Sequence, residues 1–364
     1  MKVDPPFRAE HVGSLLRPPE LREARARARA GSLPAAELRQ LEDRLIRSAV
    51  AKQEAIGLPV VTDGEYRRDF WHLDFLTRLE GVGTAPIPGR VFRAEDVPPM
   101  PTVTDRVRCA GPIMTEDFGF LRSVATARPK LTIPAPAMLH LRGGRGAISR
   151  ERYPDLAAFW EDVAAAYRAA IAHIAAAGCT YLQLDDVSFS YLCDPAVRDG
   201  LRAGGDDPAA LPAVYAAAID GALAGRPAGM TVAMHTCRGN FRSTWMASGG
   251  YEDRVVEAMF STGVDGYFME WDSERAGGFE PLRLLPRDKT VVLGLVTTKS
   301  SALEPADALA RRLDEAARYV PLERLGLSPQ CGFASTHHGN TLTEDEQWRK
   351  LERVVEVARE VWSA

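Results

Sequence analysis

"YRAAIAHIAAAGCTYLQLDD", residues 167–186, decides the fold. Tyr167, Ile171 and Ile174 continue the spacing of Leu156, Phe159 and Val163, and together they draw one apolar stripe along a helix. Gly178 ends it, at the position where a helix stops on a left-handed residue. "TYLQLD" (residues 180–185) then reads as a short buried strand that runs out into Asp185 and Asp186. Helix, glycine stop and strand make half of a βαβ unit, and the same sentence is repeated along the chain. Strand-type runs fall at residues 9–14, 59–63, 131–135, 180–185, 231–235, 265–270, 290–295 and 325–330, with helical patterns between most of them. Alternating strands and helices mean a parallel sheet with right-handed crossovers. Eight units predict an α/β fold of the (β/α)8 TIM-barrel type, a single domain over residues 1–364. The connection at residues 66–129 is too long for one crossover helix and predicts an excursion between strands 2 and 3.

Composition sets outer limits. With 46% hydrophobic and 26% charged residues, the 364-residue chain has enough apolar material for a large core. A net charge of −4 gives no reason to expect a nucleic-acid or membrane partner. "MKVDPPFRAEHVGS" at the start has no apolar segment of the secretory kind, so the expectation is a cytoplasmic protein. Five cysteines at irregular spacing read as reduced thiols and not as a disulfide framework.

In a barrel of this kind, chemistry gathers at the carboxyl ends of the strands. There the sequence places His11 and Ser14, Asp63 and Glu65, Asp185 and Asp186, His235 and Cys237, Glu270, Lys299 and Cys331. Residues i and i+2 on a strand point to the same side, so His235 and Cys237 of "MHTCRGN" converge. Cys331 and Glu270 from neighbouring strand ends complete a set of one nitrogen, two sulfurs and one oxygen. That set suits tetrahedral Zn2+.

"MHTCRGN", "FMEWD" and "LSPQCGFAST" resemble the zinc-site segments of cobalamin-independent methionine synthases. "HVGS", "VTDGE" and "YLQLDD" resemble that family's substrate-binding segments. The likeness holds in order over nearly the whole chain and is greatest to the short, single-barrel members. The long enzymes have two barrels, and this chain is similar to their C-terminal one. The resemblance implies a methyltransferase with His235, Cys237, Glu270 and Cys331 as zinc ligands. Glu65 and Asp185 would hold the amino group of homocysteine, and Ser14 would help with its carboxylate. The methyl donor would be a methyl-folate, a methyl-corrinoid on a partner protein, or a small methylated sulfur compound. Two departures concern that donor. Pro136 stands near the place of the family's pterin-stacking tryptophan, and Lys299 stands near that of its proton-donating histidine. His337 and His338 are a second possible proton source, and His72 and His140 are expected near the pocket. An epoxide:coenzyme M type of thiol alkyltransferase shares the metal pattern; its sulfonate acceptor would want cations, for which Arg67 and Arg68 are candidates. A barrel resembling uroporphyrinogen decarboxylase would need no metal.

Overall fold

A computed structural model describes residues 4–87, 98–247 and 249–362. Its elements follow in chain order: α1 (Pro19–Arg29), α2 (Ala35–Ala55), β1 (Val60–Val61), α3 (Leu73–Leu76), β2 (Glu80–Ala85), β3 (Met100–Arg108), α4 (Thr115–Val124), β4 (Arg128–Pro129), β5 (Leu131–Pro134), α5 (Leu156–Ala176), β6 (Tyr181–Asp186), α6 (Ser188–Leu192), α7 (Pro195–Ala203), α8 (Leu211–Leu223), β7 (Thr231–Thr236), α9 (Asp253–Phe260), β8 (Gly266–Glu270), β9 (Thr290–Val296), α10 (Ala306–Ala317), β10 (Leu325–Pro329) and α11 (Glu344–Trp362).

The α5–β6 unit is built as its residues dictate. Asp155 caps α5 by accepting from the Ala157 amide at 3.0 Å. At the far end Gly178 takes φ +92°; its amide reaches the Ala175 carbonyl at 2.8 Å and the Cys179 amide reaches Ile174 at 3.2 Å. These are the paired bonds of a Schellman stop, and they turn the chain directly into β6. The stripe of α5 buries Phe159, Val163, Tyr167, Ile171 and Ile174, and the Tyr167 hydroxyl donates to the Pro134 carbonyl of β5 at 2.9 Å. α11 opens on a capping box: the Thr343 amide donates to Glu346 Oε2 at 2.8 Å, and the Glu346 amide to Thr343 Oγ1 at 3.3 Å.

The main sheet is parallel and six-stranded, in the order β10-β9-β8-β7-β6-β5. Every residue of β6 is buried, as expected of a parallel strand covered on both faces. β1 pairs in parallel with β4, immediately before β5. Residues 9–14, expected as the first strand, are not one: Ala9 makes a single parallel bridge to Leu327 of β10 and the rest of the segment makes no ladder. Residues 66–129 hold α3, an antiparallel β2–β3 hairpin and α4. Residues 88–97 of that stretch lie outside the described part of the chain. Among the described residues no helix is long and apolar enough to cross a membrane.

A polar cluster is buried among the strands. Lys130 Nζ lies 3.3 Å from Glu10 Oε2 and 2.9 Å from Gln183 Oε1, and the Tyr181 hydroxyl donates to Glu10 Oε1 at 2.8 Å. Gln183 Nε2 then reaches Asp185 Oδ1 at 2.7 Å, so the strand interior orients an acid at the strand end.

Candidate functional site

His235 lies in β7, Cys237 one residue past it, Glu270 at the end of β8 and Cys331 just beyond β10. Their ligand-type atoms all lie within 4.8 Å of one another, and all four side chains have little or no exposure. The two sulfurs are 3.5 Å apart. Metal–ligand bonds of 2.0–2.3 Å at tetrahedral angles put ligand atoms roughly 3.3–3.8 Å apart. Neither ring nitrogen of the buried His235 has a hydrogen-bond partner. A buried imidazole without a partner, facing two thiols and a carboxylate, fits a metal centre.

Neighbouring groups hold the set in place. The Arg238 amide donates to Glu270 Oε1 at 3.1 Å, and Arg275 Nη2 to Oε2 at 3.1 Å. The Gly239 amide reaches Cys237 Sγ at 3.2 Å. The hydrogen bond between the sulfurs pushes the Cys237 thiol up and pulls Cys331 well below the ordinary thiol range. Burial raises the Glu270 carboxyl, against the charges of Lys299 and Arg275. Lys299 Nζ is itself buried and without a partner.

Gly294 lets β8 and β10 come close enough for this. It lies between Glu270 and Ser328 in register, and a Cβ there would sit 2.6 Å from the Gln330 Cα and 3.0 Å from the Met269 carbonyl. Gly294→Ala is expected to cost about 1–3 kcal/mol in urea unfolding. It should also lower metal stoichiometry, because the backbones flanking Glu270 and Cys331 have to part.

Ser14, Glu65 and Asp185 line one pocket with His235, Cys237 and Cys331; its empty volume, open mouth included, is about 610 Å3. Glu65 adopts φ +59°, a costly conformation for a residue with a side chain, of the kind kept at functional sites. Asp63 Oδ1 accepts its amide at 2.9 Å, and Arg17 Nη2 holds its carbonyl at 2.9 Å. Arg17 Nη1 also reaches the carbonyls of Ala334 and Thr336, tying the loops after β1 and β10 together. Glu65 Oε1 accepts from Thr132 Oγ1 at 2.8 Å and lies 3.4 Å from Arg68 Nη1, while Oε2 is buried without a partner. Burial raises the carboxyls of both Glu65 and Asp185, Asp185 to about 7. Ser14 Oγ accepts the Ala334 amide at 3.4 Å.

Other expectations resolve differently. Asp186 accepts from the Ser188 hydroxyl and the Phe189 amide, so it is tied to the first turn of α6. Arg67 is bound to Asp43, Asp117 and Glu42 and is not a pocket cation. Among the histidines, His72 lines the pocket. His140 does not: it is tied to the Tyr215 hydroxyl at 2.9 Å and to Asp206 at 3.3 Å. His337 and His338 stack on each other outside the pocket lining, with His337 edge-on to Phe70. Arg17, Arg238, Arg275 and Tyr191 were not singled out by sequence reasoning; only "HTCRGN" carried a local hint, for Arg238.

The chain matches the family described as cobalamin-independent synthase, catalytic domain, over residues 7–360. It is 46% identical to the uncharacterized protein YxjH of Bacillus subtilis, over 98% of this chain and 95% of that one. It is 24% identical to a methionine synthase of Saccharolobus solfataricus over 88% and 86%. The crystal structure of a putative vitamin-B12 independent methionine synthase from Listeria monocytogenes superposes with a TM-score of 0.78 at 38% identity, covering 98% of both chains. Fold and relatives together define an α/β protein with a parallel sheet, of the methyltransferase class. The chain belongs to the cobalamin-independent methionine synthase family, within its catalytic domain.

Proposed function

We propose that this protein is a zinc-dependent methyltransferase that moves a methyl group onto the thiol of homocysteine, giving methionine. The observation that carries the reading is the convergence of His235, Cys237, Glu270 and Cys331 within 4.8 Å, beside a pocket that His235, Cys237 and Cys331 line together with two buried carboxylates. Zinc held by these residues would keep a bound alkyl thiol deprotonated at neutral pH. Glu65 and Asp185 take the acceptor's ammonium by charge-assisted hydrogen bonds, for which Glu65 Oε2 is free. Ser14 stands at the carboxylate end. The Arg238 amide and Arg275 hold Glu270 in one orientation. Sulfur and methyl group are thereby aligned in a buried pocket, where positioning lowers the barrier. A sulfonate acceptor fits the Glu65–Asp185 end of this pocket poorly: Arg68 is already engaged by Glu65 and Thr132, and the groups beside it are acidic.

The reading includes a (β/α)8-type barrel as the single domain, closed through β1 and the single bridge at Ala9 and not through a full first strand, with residues 66–129 as an excursion within it. Its support is the Ala9–Leu327 bridge, the Leu15 amide on the Gly64 carbonyl at 3.0 Å, and the β1–β4 pair. Val12, Val60, Tyr181, Ala233, Phe268 and Val292 also pack into one small inner cluster. The decisive experiment measures bound zinc by elemental analysis and then assays methionine formation from homocysteine with a folate, a corrinoid and an onium methyl donor. A zinc-loaded protein that yields no methionine with any of them would sink the proposal.

A further inference from the structure

Three carbonyls of the segment that forms no strand are nonetheless taken. Lys130 Nζ donates to the His11 carbonyl, Gln183 Nε2 to that of Val12 at 2.7 Å, and Thr62 Oγ1 to that of Gly13 at 2.6 Å. Side chains from neighbouring strands and their ends thus hold the segment where a ladder would. Two of them belong to a line of buried polar groups that runs on to the acceptor site. Lys130 and Glu10 pair at 3.3 Å, and neither side chain has any exposure. Glu10 Oε1 also accepts from the Tyr181 hydroxyl at 2.8 Å and the Phe7 amide at 3.0 Å. The Lys130 ammonium lies 4.6 Å from the ring centre of Phe268 and 5.3 Å from that of Tyr181. From Lys130 the line passes to Gln183 Oε1 at 2.9 Å, and from Gln183 Nε2 to Asp185 Oδ1 at 2.7 Å.

A buried ion pair adds little net stability over apolar packing of the same shape, so its use lies in what it fixes. An ammonium can only donate, so the Gln183 amide oxygen has to face Lys130. The amide NH2 is thereby turned toward two acceptors, the Val12 carbonyl and Asp185 Oδ1. Asp185 Oδ1 is committed to receiving that hydrogen, and Oδ2 is left for a ligand in the pocket that Asp185 lines. Glu65 is divided in the same way: Thr132 Oγ1 donates to Oε1 at 2.8 Å, while Oε2 has no partner. Each acid has one oxygen held by the protein and one on offer. A protonated primary amine has hydrogens for both open oxygens. A ligand without that amine leaves two buried carboxylate oxygens unpaired.

We infer that Gln183, its amide set by Lys130 and Glu10, is a positioning residue that makes Asp185 discriminate in favour of a sulfur ligand carrying a free α-amino group. The inference rests on the acceptor reading above. Gln183 is not part of the pocket lining, so it acts through Asp185 and not by touching the ligand. The segment leading to Ser14 keeps two other holds, Lys130 on His11 and Thr62 on Gly13. Loss of the Gln183 amide is therefore felt at the ammonium end of the site and hardly at the carboxylate end.

The test compares two ligands, methionine and 4-(methylthio)butanoate, which is methionine without its amino group. Calorimetry on the purified protein at mildly alkaline pH should show methionine bound at least about tenfold more tightly. Gln183→Met fills the same space and removes the amide. It should weaken methionine about tenfold and the butanoate less than about twofold, with zinc content and circular dichroism unchanged. Gln183→Glu keeps an acceptor for Lys130 but turns a second carboxylate on Asp185, so it should lose more methionine affinity than Gln183→Met. A role confined to holding Lys130 would make Gln183→Glu the milder change. Added to Asp185→Asn, Gln183→Met should cost no more than about a further twofold, because one residue acts through the other. Equal weakening of both ligands in Gln183→Met, an unchanged methionine preference, a milder Gln183→Glu, or full additivity with Asp185→Asn overturns the inference. Should Gln183→Met not fold, the two ligands on Gln183→Glu carry the same comparison. If the unaltered protein does not favour methionine over the butanoate, the acceptor reading falls together with the inference. If it does and the variants keep that preference, the acceptor reading stands and the inference alone is lost.

Discussion

If the proposed zinc site is right, Cys331→Ser protein should emerge from purification without metal. The substitution removes one of two thiolates from a four-ligand set in which the remaining donors are His235, Cys237 and Glu270. A serine hydroxyl is neither soft nor deprotonated at neutral pH, so the site loses a charge as well as a ligand. Mutating residues that merely support metal ligands costs 10–100-fold in affinity, so losing a ligand should cost at least about 100-fold. The protein would then be left with Cys237 deprived of its 3.5 Å partner and His235 still without one. A 100-fold weaker site forfeits up to about 2.7 kcal/mol of ligand-linked stability, so the melting temperature should also fall by a few degrees and stop responding to added zinc. Cys179→Ser is the control. Cys179 is buried as well, but its sulfur lies against the Tyr181 carbonyl at 3.3 Å, away from the cluster. Elemental analysis of both variants decides the matter; full zinc occupancy in Cys331→Ser removes Cys331 from the ligand set.

What could be read in advance follows from what is local. His235 and Cys237 announced themselves because strand periodicity aims i and i+2 together, and strand ends are countable by eye. Gly178, Asp155 and the Thr343–Glu346 box mark helix ends through bonds spanning only a few residues, and such bonds leave a signature in sequence. The first strand misled because a short apolar run is not a ladder; of residues 9–14 only Ala9 makes a strand bridge. The clamp formed by Arg17 left no trace, since its bonds cross 48 to 319 positions. The unpartnered Tyr191 was equally silent, because absence of a partner is a property of packing. His140 shows the converse: nearness to a strand end suggested the pocket, but Tyr215 and Asp206 hold its ring elsewhere.

Loss of either of the paired acids should weaken acceptor binding at least about tenfold while leaving the metal in place. Glu65→Gln and Asp185→Asn keep shape and remove charge. Each deletes a charge-assisted bond to an ammonium, about 1.5–3 kcal/mol, or roughly 10–150-fold in affinity. Their effects should not add, because both carboxylates face the same group and burial has already raised both. Methionine is the better ligand for this measurement than homocysteine, as it has no thiol proton to confuse the pH profile. Asp185 is pushed up to about 7, by burial first and by the neighbouring Glu65 charge, against the pull of His235. The ionised form is the one that attracts an ammonium. As the pH drops through about 7, Asp185 takes up a proton and the attraction is lost, so methionine affinity should fall below that point and level off above it. Asp185→Asn should bind weakly at every pH and show no such inflection. Zinc content should stay at the unaltered level in both variants, since neither residue is a ligand. An unchanged methionine affinity in Asp185→Asn, or a profile rising toward acid, would transfer the ammonium to other groups in the pocket.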